Sequence, residues 1–137
     1  MITPVADQQT MKIVYDYFVD HYPEQRSAIN EYNKLKLILT NYDNHKLVSF
    51  GNIVFLLDFK DNEVEFHSMG KETSAFAFTK DIIKLINYVR KLNVKSISTY
   101  GNDPIFEKIG QRLKLDIKQQ LKVRSDGNTY NYYRLEF

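Results

Sequence analysis

Residues 46–92 constrain the fold more than any other part of this chain, because the hydrophobic period changes within them. Residues 46–50, 53–59 and 63–69 read as three consecutive strands, with Gly51-Asn52 and Asp61-Asn62 supplying the turns. The middle strand is apolar throughout (Ile53, Val54, Phe55, Leu56, Leu57), the pattern of a strand covered on both faces. The third alternates, with Val64 and Phe66 opposite Glu65 and His67. Residues 79–92 then change to helical spacing. Ile82, Leu85, Ile86 and Val89 form one stripe, and Lys80, Lys84, Arg90 and Lys91 stay outside it. Strands followed by a long amphipathic helix require a sheet with a helix packed on it.

The flanking segments extend this pattern. Residues 1–3 predict a short extended start, and Asp7 a cap for a helix that buries Met11, Val14 and Phe18. Tyr22-Pro23 ends that helix, since the residue before proline is pushed out of the helical region. A second helix from about residue 24 places Ile29, Tyr32, Leu35 and Leu39 on one stripe. Residues 95–100 predict a strand. A short helix follows through Ile105, Ile109 and Leu113, with Pro104 in an early position where its missing N–H costs least. Residues 115–124 and 129–137 close the chain as strands around the turn Ser125-Asp126-Gly127-Asn128. In the first of these, Leu115, Ile117, Leu121 and Val123 share a face, and Asp116, Lys118, Gln120, Lys122 and Arg124 share the wet one. The order β-α-α-β-β-β-α-β-α-β-β predicts an α/β fold, with a mixed central sheet and helices on both faces. No repeat or linker interrupts it, so residues 1–137 read as a single domain.

Several chemistries drop out on composition. The chain has no cysteine, which removes disulfides, thiolate metal sites and a cysteine nucleophile. His21, His45 and His67 have no ligand spacing, so no metal is expected. The longest apolar run is residues 53–57, too short to cross a bilayer, and residues 1–10 lack the pattern of a signal peptide. A cytoplasmic protein with no membrane partner is the expectation. Nineteen Lys and Arg oppose 17 Asp and Glu, so net charge makes no general case for nucleic acid.

The segment Asn102-Asp103-Pro104-Ile105-Phe106-Glu107-Lys108-Ile109-Gly110-Gln111, taken with the strand order, resembles the GNAT (N-acetyltransferase) superfamily. There, a strand ends in Asn and a short helix reads F-Y-E-K-L-G-F before the last hairpin. A narrower resemblance, to the small GNAT-like internal virion proteins of short-tailed bacteriophages, lies in Gly101-Asn102, Ile109-Gly110, Asp126-Gly127 and the aromatic end Tyr130, Tyr132, Tyr133 and Phe137.

The superfamily resemblance implies acetyl-CoA bound by an R/Q-x-x-G-x-G/A loop, whose backbone N–H groups and helix N-terminus cradle the pyrophosphate. The corresponding stretch, residues 69–79, has one glycine, at its start, and carries Phe76 and Phe78 where small residues belong. Lys71, Thr73 and Ser74 are the candidate phosphate contacts. The family's tyrosine, which protonates the departing thiolate, is matched by Phe106, which has no hydroxyl. Glu65 and His67, two apart on one strand and hence on one face, are the candidate base for an amine.

Charge is uneven along the chain. Residues 1–31 carry five acids against two bases, and residues 108–124 six bases against one acid. Lys114, Lys118, Lys122, Arg124, Tyr130 and Tyr132 therefore form a candidate interaction surface, for protein partners, self-assembly or, more weakly, nucleic acid. The resulting expectation is a non-catalytic GNAT-fold protein with no cofactor, a bacteriophage virion, assembly or host-interaction component found in the host cytoplasm or virion. The alternative is a divergent acetyl-CoA-dependent N-acetyltransferase acting on an amine.

Overall fold

The computed structural model describes residues 8–101 and 105–137. Its elements are α1 (Gln8–His21), α2 (Gln25–Asn41), β1 (His45–Phe50), β2 (Ile53–Lys60), β3 (Glu63–Gly70), α3 (Ala75–Arg90), β4 (Ser96–Gly101), α4 (Ile105–Leu113), β5 (Lys118–Val123) and β6 (Thr129–Glu136). The expected strand at residues 1–3, the Asp7 cap and Asn102-Asp103-Pro104 lie outside the described residues.

The six strands form one sheet in the order β1-β2-β3-β4-β6-β5. Pairing is antiparallel except between β3 and β4, which run parallel with α3 as their crossover. Those two strands pair only from Glu63 to Glu65 against Ser96 to Ser98, with one further link where Thr99 Oγ1 donates to the Phe66 carbonyl. Beyond that point β3 runs on to Gly70 and β4 to Gly101 without further pairing.

β2 explains why both faces are covered. Ile53, Phe55 and Leu57 point into one core, with Val64, Phe66, Ile97 and Leu135 and the inner stripes of α3 and α4. Val54 points into a second, with Met11 and Val14 of α1, Leu35 and Leu39 of α2, Leu47 and Met69. α1 packs on β2 and β3, and α2 on β1. The principal contacts of both helices on that side are with β1, β2 and β3.

Three expectations change. The helix after β3 starts at Ala75, four residues before Thr79, because Ser74 takes an extended backbone and its Oγ accepts the Ala77 N–H at 3.1 Å. Phe76 and Phe78 therefore lie on the first turns of α3. Phe78 packs inward, whereas Phe76 faces solvent under the Lys80 ammonium. On α2, Ala28 takes the buried place and Ile29 is exposed, since the small methyl lets the helix approach its neighbours. In the last hairpin, Leu115 and Ile117 pack on the core, but Leu121 and Val123 are 65% and 68% exposed. α4 is only nine residues long and stops short of the far part of β5, the edge strand.

Candidate functional site

Strand parity and strand order together build an uncovered surface on the α1 side of the sheet. Glu65 and His67 of β3 face it, with His67 Nε2 3.7 Å from Glu65 Oε2 and both side chains about one-third exposed. Tyr100 of β4 stands edge-on to His67, ring centroids 5.0 Å apart, and Tyr130 of β6 lies 5.4 Å beyond it. Partial burial, then the Glu65 charge, pushes the Tyr100 phenol above its usual range. Tyr132 pairs across from Tyr100. The neighbouring β5 brings Lys122 Nζ to 3.9 Å over the Tyr132 ring, and Arg124 lies 5.2 Å from the Tyr130 ring. Lys118 and Arg134 on the same face are neutralised, Lys118 by Glu136 at 3.5 Å and Arg134 by Glu63 and Glu136. Among the described residues, Lys122 and Arg124 have no carboxylate partner.

The opposite face of the β3–β4 divergence is filled. Phe66 of β3, Phe78 of α3, Phe106 of α4 and Tyr133 of β6 converge there. Phe106 is the hub, 5.9 Å from Phe66, 6.1 Å from Phe78 and 5.5 Å from Tyr133. The cavity beside Phe66, Phe106 and Tyr133 is about 30 Å³. Small-molecule sites occupy about 300–1,000 Å³. The four rings close this side of the divergence.

The loop from β3 to α3, residues 71–74, holds a carboxylate of its own. Glu72 Oε2 accepts the Asn52 N–H at 3.0 Å, and Oε1 accepts the Asn52 side-chain amide at 3.2 Å and the Thr73 N–H at 3.3 Å. Behind it lies Asp81 of α3, 3% exposed and hydrogen-bonded to Glu72. Burial, followed by the bond to Glu72 and that group's charge, pushes Asp81 up to about 7. Glu72 is held below its usual value, first by the hydrogen bond from Asp81 and then by Asn52.

The candidates named from sequence are distributed unevenly over these features. Glu65 and His67 meet as a pair. Lys118, Lys122, Arg124, Tyr130 and Tyr132 come together on the same face as that pair, whereas Lys114 is at the end of α4 with φ +55°. Lys71, Thr73 and Ser74 do not converge as a cradle. Lys71 Nζ lies 3.9 Å from Asp20, Thr73 gives its N–H to Glu72, and Ser74 caps α3. Sequence reasoning missed Asp81, although an acid next to Ile82 and four before Leu85 falls on the buried stripe of α3. It also missed a hollow of about 370 Å³ between α1 and the loop, lined in part by Lys12, Asp16, Tyr17, Asp20 and Lys71. No group of three metal-ligating side chains occurs among the described residues, and no helix there is long and apolar enough to cross a membrane.

No family model and no curated protein matches the sequence. Solved structures do match in fold. A spermidine N-acetyltransferase from Vibrio cholerae superposes with a TM-score of 0.69 at 8% identity, over 96% of this chain and 92% of that one. A ribosomal-protein-alanine N-acetyltransferase from Brucella melitensis gives 0.66 at 9% identity, over 96% and 97%. The PaiA N-acetyltransferase from Thermoplasma acidophilum, in complex with coenzyme A, gives 0.57 at 10% identity, over 95% and 92%. At such identities the likeness is one of fold. With its mixed sheet, its single parallel pair diverging after three residues and its helices on both faces, this chain has the GNAT fold.

Proposed function

We propose that this is a GNAT-fold binding protein that works through its open sheet face and not through acetyl-CoA. The observation that carries the reading is the ring cluster on Phe106, which fills the space a pantetheine arm would need. The loop supports it, because Glu72 already occupies the Thr73 N–H there, together with the Asn52 N–H of the β1–β2 turn. The surface left for function combines partly exposed tyrosines with two cations that lack carboxylate partners among the described residues, and this composition suits a protein interface. Its charge complements an acidic partner. The acid-rich segment 1–31 of another copy, including exposed Asp16 and Asp20, is one such surface. The resemblance of the C-terminal third to internal virion proteins supports a virion or assembly role as the setting.

Sedimentation velocity at low and high salt tests this reading. Wild-type protein is expected to self-associate at low salt. Lys122→Glu/Arg124→Glu and high salt should each leave monomer. A wild type that stays monomeric at every salt and concentration contradicts the self-assembly part.

A second reading, transfer of an acetyl group to an amine, is favoured by one feature. The Glu65–His67 pair lies on the open side just where β3 and β4 part, with the Tyr100 ring beside it. In that reading the pair accepts the amine proton. Thioester turnover over a panel of amines tests it. Activity lost in Glu65→Gln/His67→Ala supports the pair, and turnover unchanged in that variant removes it.

A further inference from the structure

Two carboxyl groups meet at the point where the turn from β1 to β2, the loop from β3 to α3 and the side of α3 come together. Glu72 is saturated with donors from Asn52 and Thr73. Asp81 is buried, and its Oδ2 has no protein donor. Gly51, at φ +61°, packs directly on the pair, and a Cβ there would collide with Glu72 Oε2 and both Asp81 oxygens. Two ionised carboxylates pressed together repel each other, and Asp81 lies out of water, so one of them carries a proton. The donor pattern assigns it. Glu72, with three donors, is the ion, and Asp81, whose Oδ2 has none, is the acid.

We propose that Glu72 and Asp81 share one proton as a latch, which pins the β3–α3 loop to the β1–β2 turn and keeps the Asn52 and Thr73 N–H groups occupied until the proton leaves. The charged groups bearing on Asp81 are Glu72 from the loop and Lys84 from its own helix. The β1–β2 turn contributes only backbone and the Asn52 amide. The Lys84 charge favours ionisation and is outweighed by burial and Glu72. Between the ordinary aspartate value of 3.8 and about 7, the folded chain keeps a proton that the unfolded chain has lost. Stability from this group therefore falls as pH rises across that window and is level above it. Above about 7 both groups are ionised, Glu72 is driven outward, and the Asn52 and Thr73 N–H groups are freed. This inference stands apart from the binding reading, because it needs no partner.

Carbon NMR of the side-chain carboxyls tests the latch on wild-type protein. The Asp81 and Glu72 signals are expected to titrate as one coupled pair, with the upper step near 7 and centred on Asp81. Two independent titrations near 4 would overturn it. Amide exchange gives the second readout. Protection at Asn52 and Thr73 should fall by about tenfold between pH 6 and 8 in wild type and stay constant in Asp81→Asn, whose amide still donates to Glu72. Equal behaviour in both proteins counts against the latch. So does stabilisation of wild type alone by millimolar Ca²⁺ or Mg²⁺ at pH 6, which would place a metal ion where the proton is assigned.

Discussion

A methyl group at Gly51 would strain the backbone and strike two carboxyls at once, and this sets it apart from the other glycines in turns. Gly51 and Gly127 both have positive φ (61° and 88°), but a Cβ at Gly127 meets open space. Gly127→Ala should cost about 1 kcal/mol, from backbone strain alone, and Gly51→Ala at least about 2 kcal/mol more. Urea denaturation of the two variants separates strain from crowding. Ser74→Ala removes the α3 cap and should cost about 1 kcal/mol in the same assay. At this scale the sequence was informative where a residue's role follows from its neighbours in the chain. The spacing of Glu65 and His67 puts them on one face by strand geometry alone. Asp81 was hidden because its meaning comes from Glu72, nine residues away, and from a turn thirty residues earlier, a convergence that only the fold creates.

At the scale of elements, periodicity located every strand and helix of the described chain to within a few residues but did not say which faces are covered. Leu115, Ile117, Leu121 and Val123 alternate as one apolar face, yet only the first two are beneath a helix. Ile117 lies against Gly110 of α4, where an added Cβ would stand 3.1 Å from it, so the close approach of helix and hairpin uses that glycine. Ile117→Ala should destabilise by about 2 kcal/mol, whereas Leu121→Thr and Val123→Thr should each stay within about 0.5 kcal/mol. Thermal or chemical denaturation distinguishes these outcomes. The exposed pair on an edge strand would otherwise invite pairing with another chain, and flanking Lys122 and Arg124 oppose that through charge. The same limit explains the candidate surface. Parity placed Lys122, Tyr130 and Tyr132 together, but their union with Glu65, His67 and Tyr100 depends on β4 lying between β3 and β6. That strand order is a property of the crossover and not of any local segment.

For the molecule as a whole, the GNAT fold provides two surfaces around the divergence of β3 and β4, and the two have separate fates here. One is open, polar and aromatic. The other is closed by Phe66, Phe78, Phe106 and Tyr133. Phe106 was legible from sequence as a lost hydroxyl, but its part as the hub of a packed cluster was not, because its three partners come from three other elements. Phe106→Ala should cost about 3 kcal/mol, as expected for an aromatic removed from a close-packed site, and should leave a cavity at the divergence. The central claim is that this cleft is filled in the working protein, and calorimetric titration with acetyl-CoA at pH 7 tests it most directly. The account predicts no saturable heat up to millimolar acetyl-CoA. Saturable binding at micromolar concentration, abolished by a bulky substitution at Ser74, would contradict it.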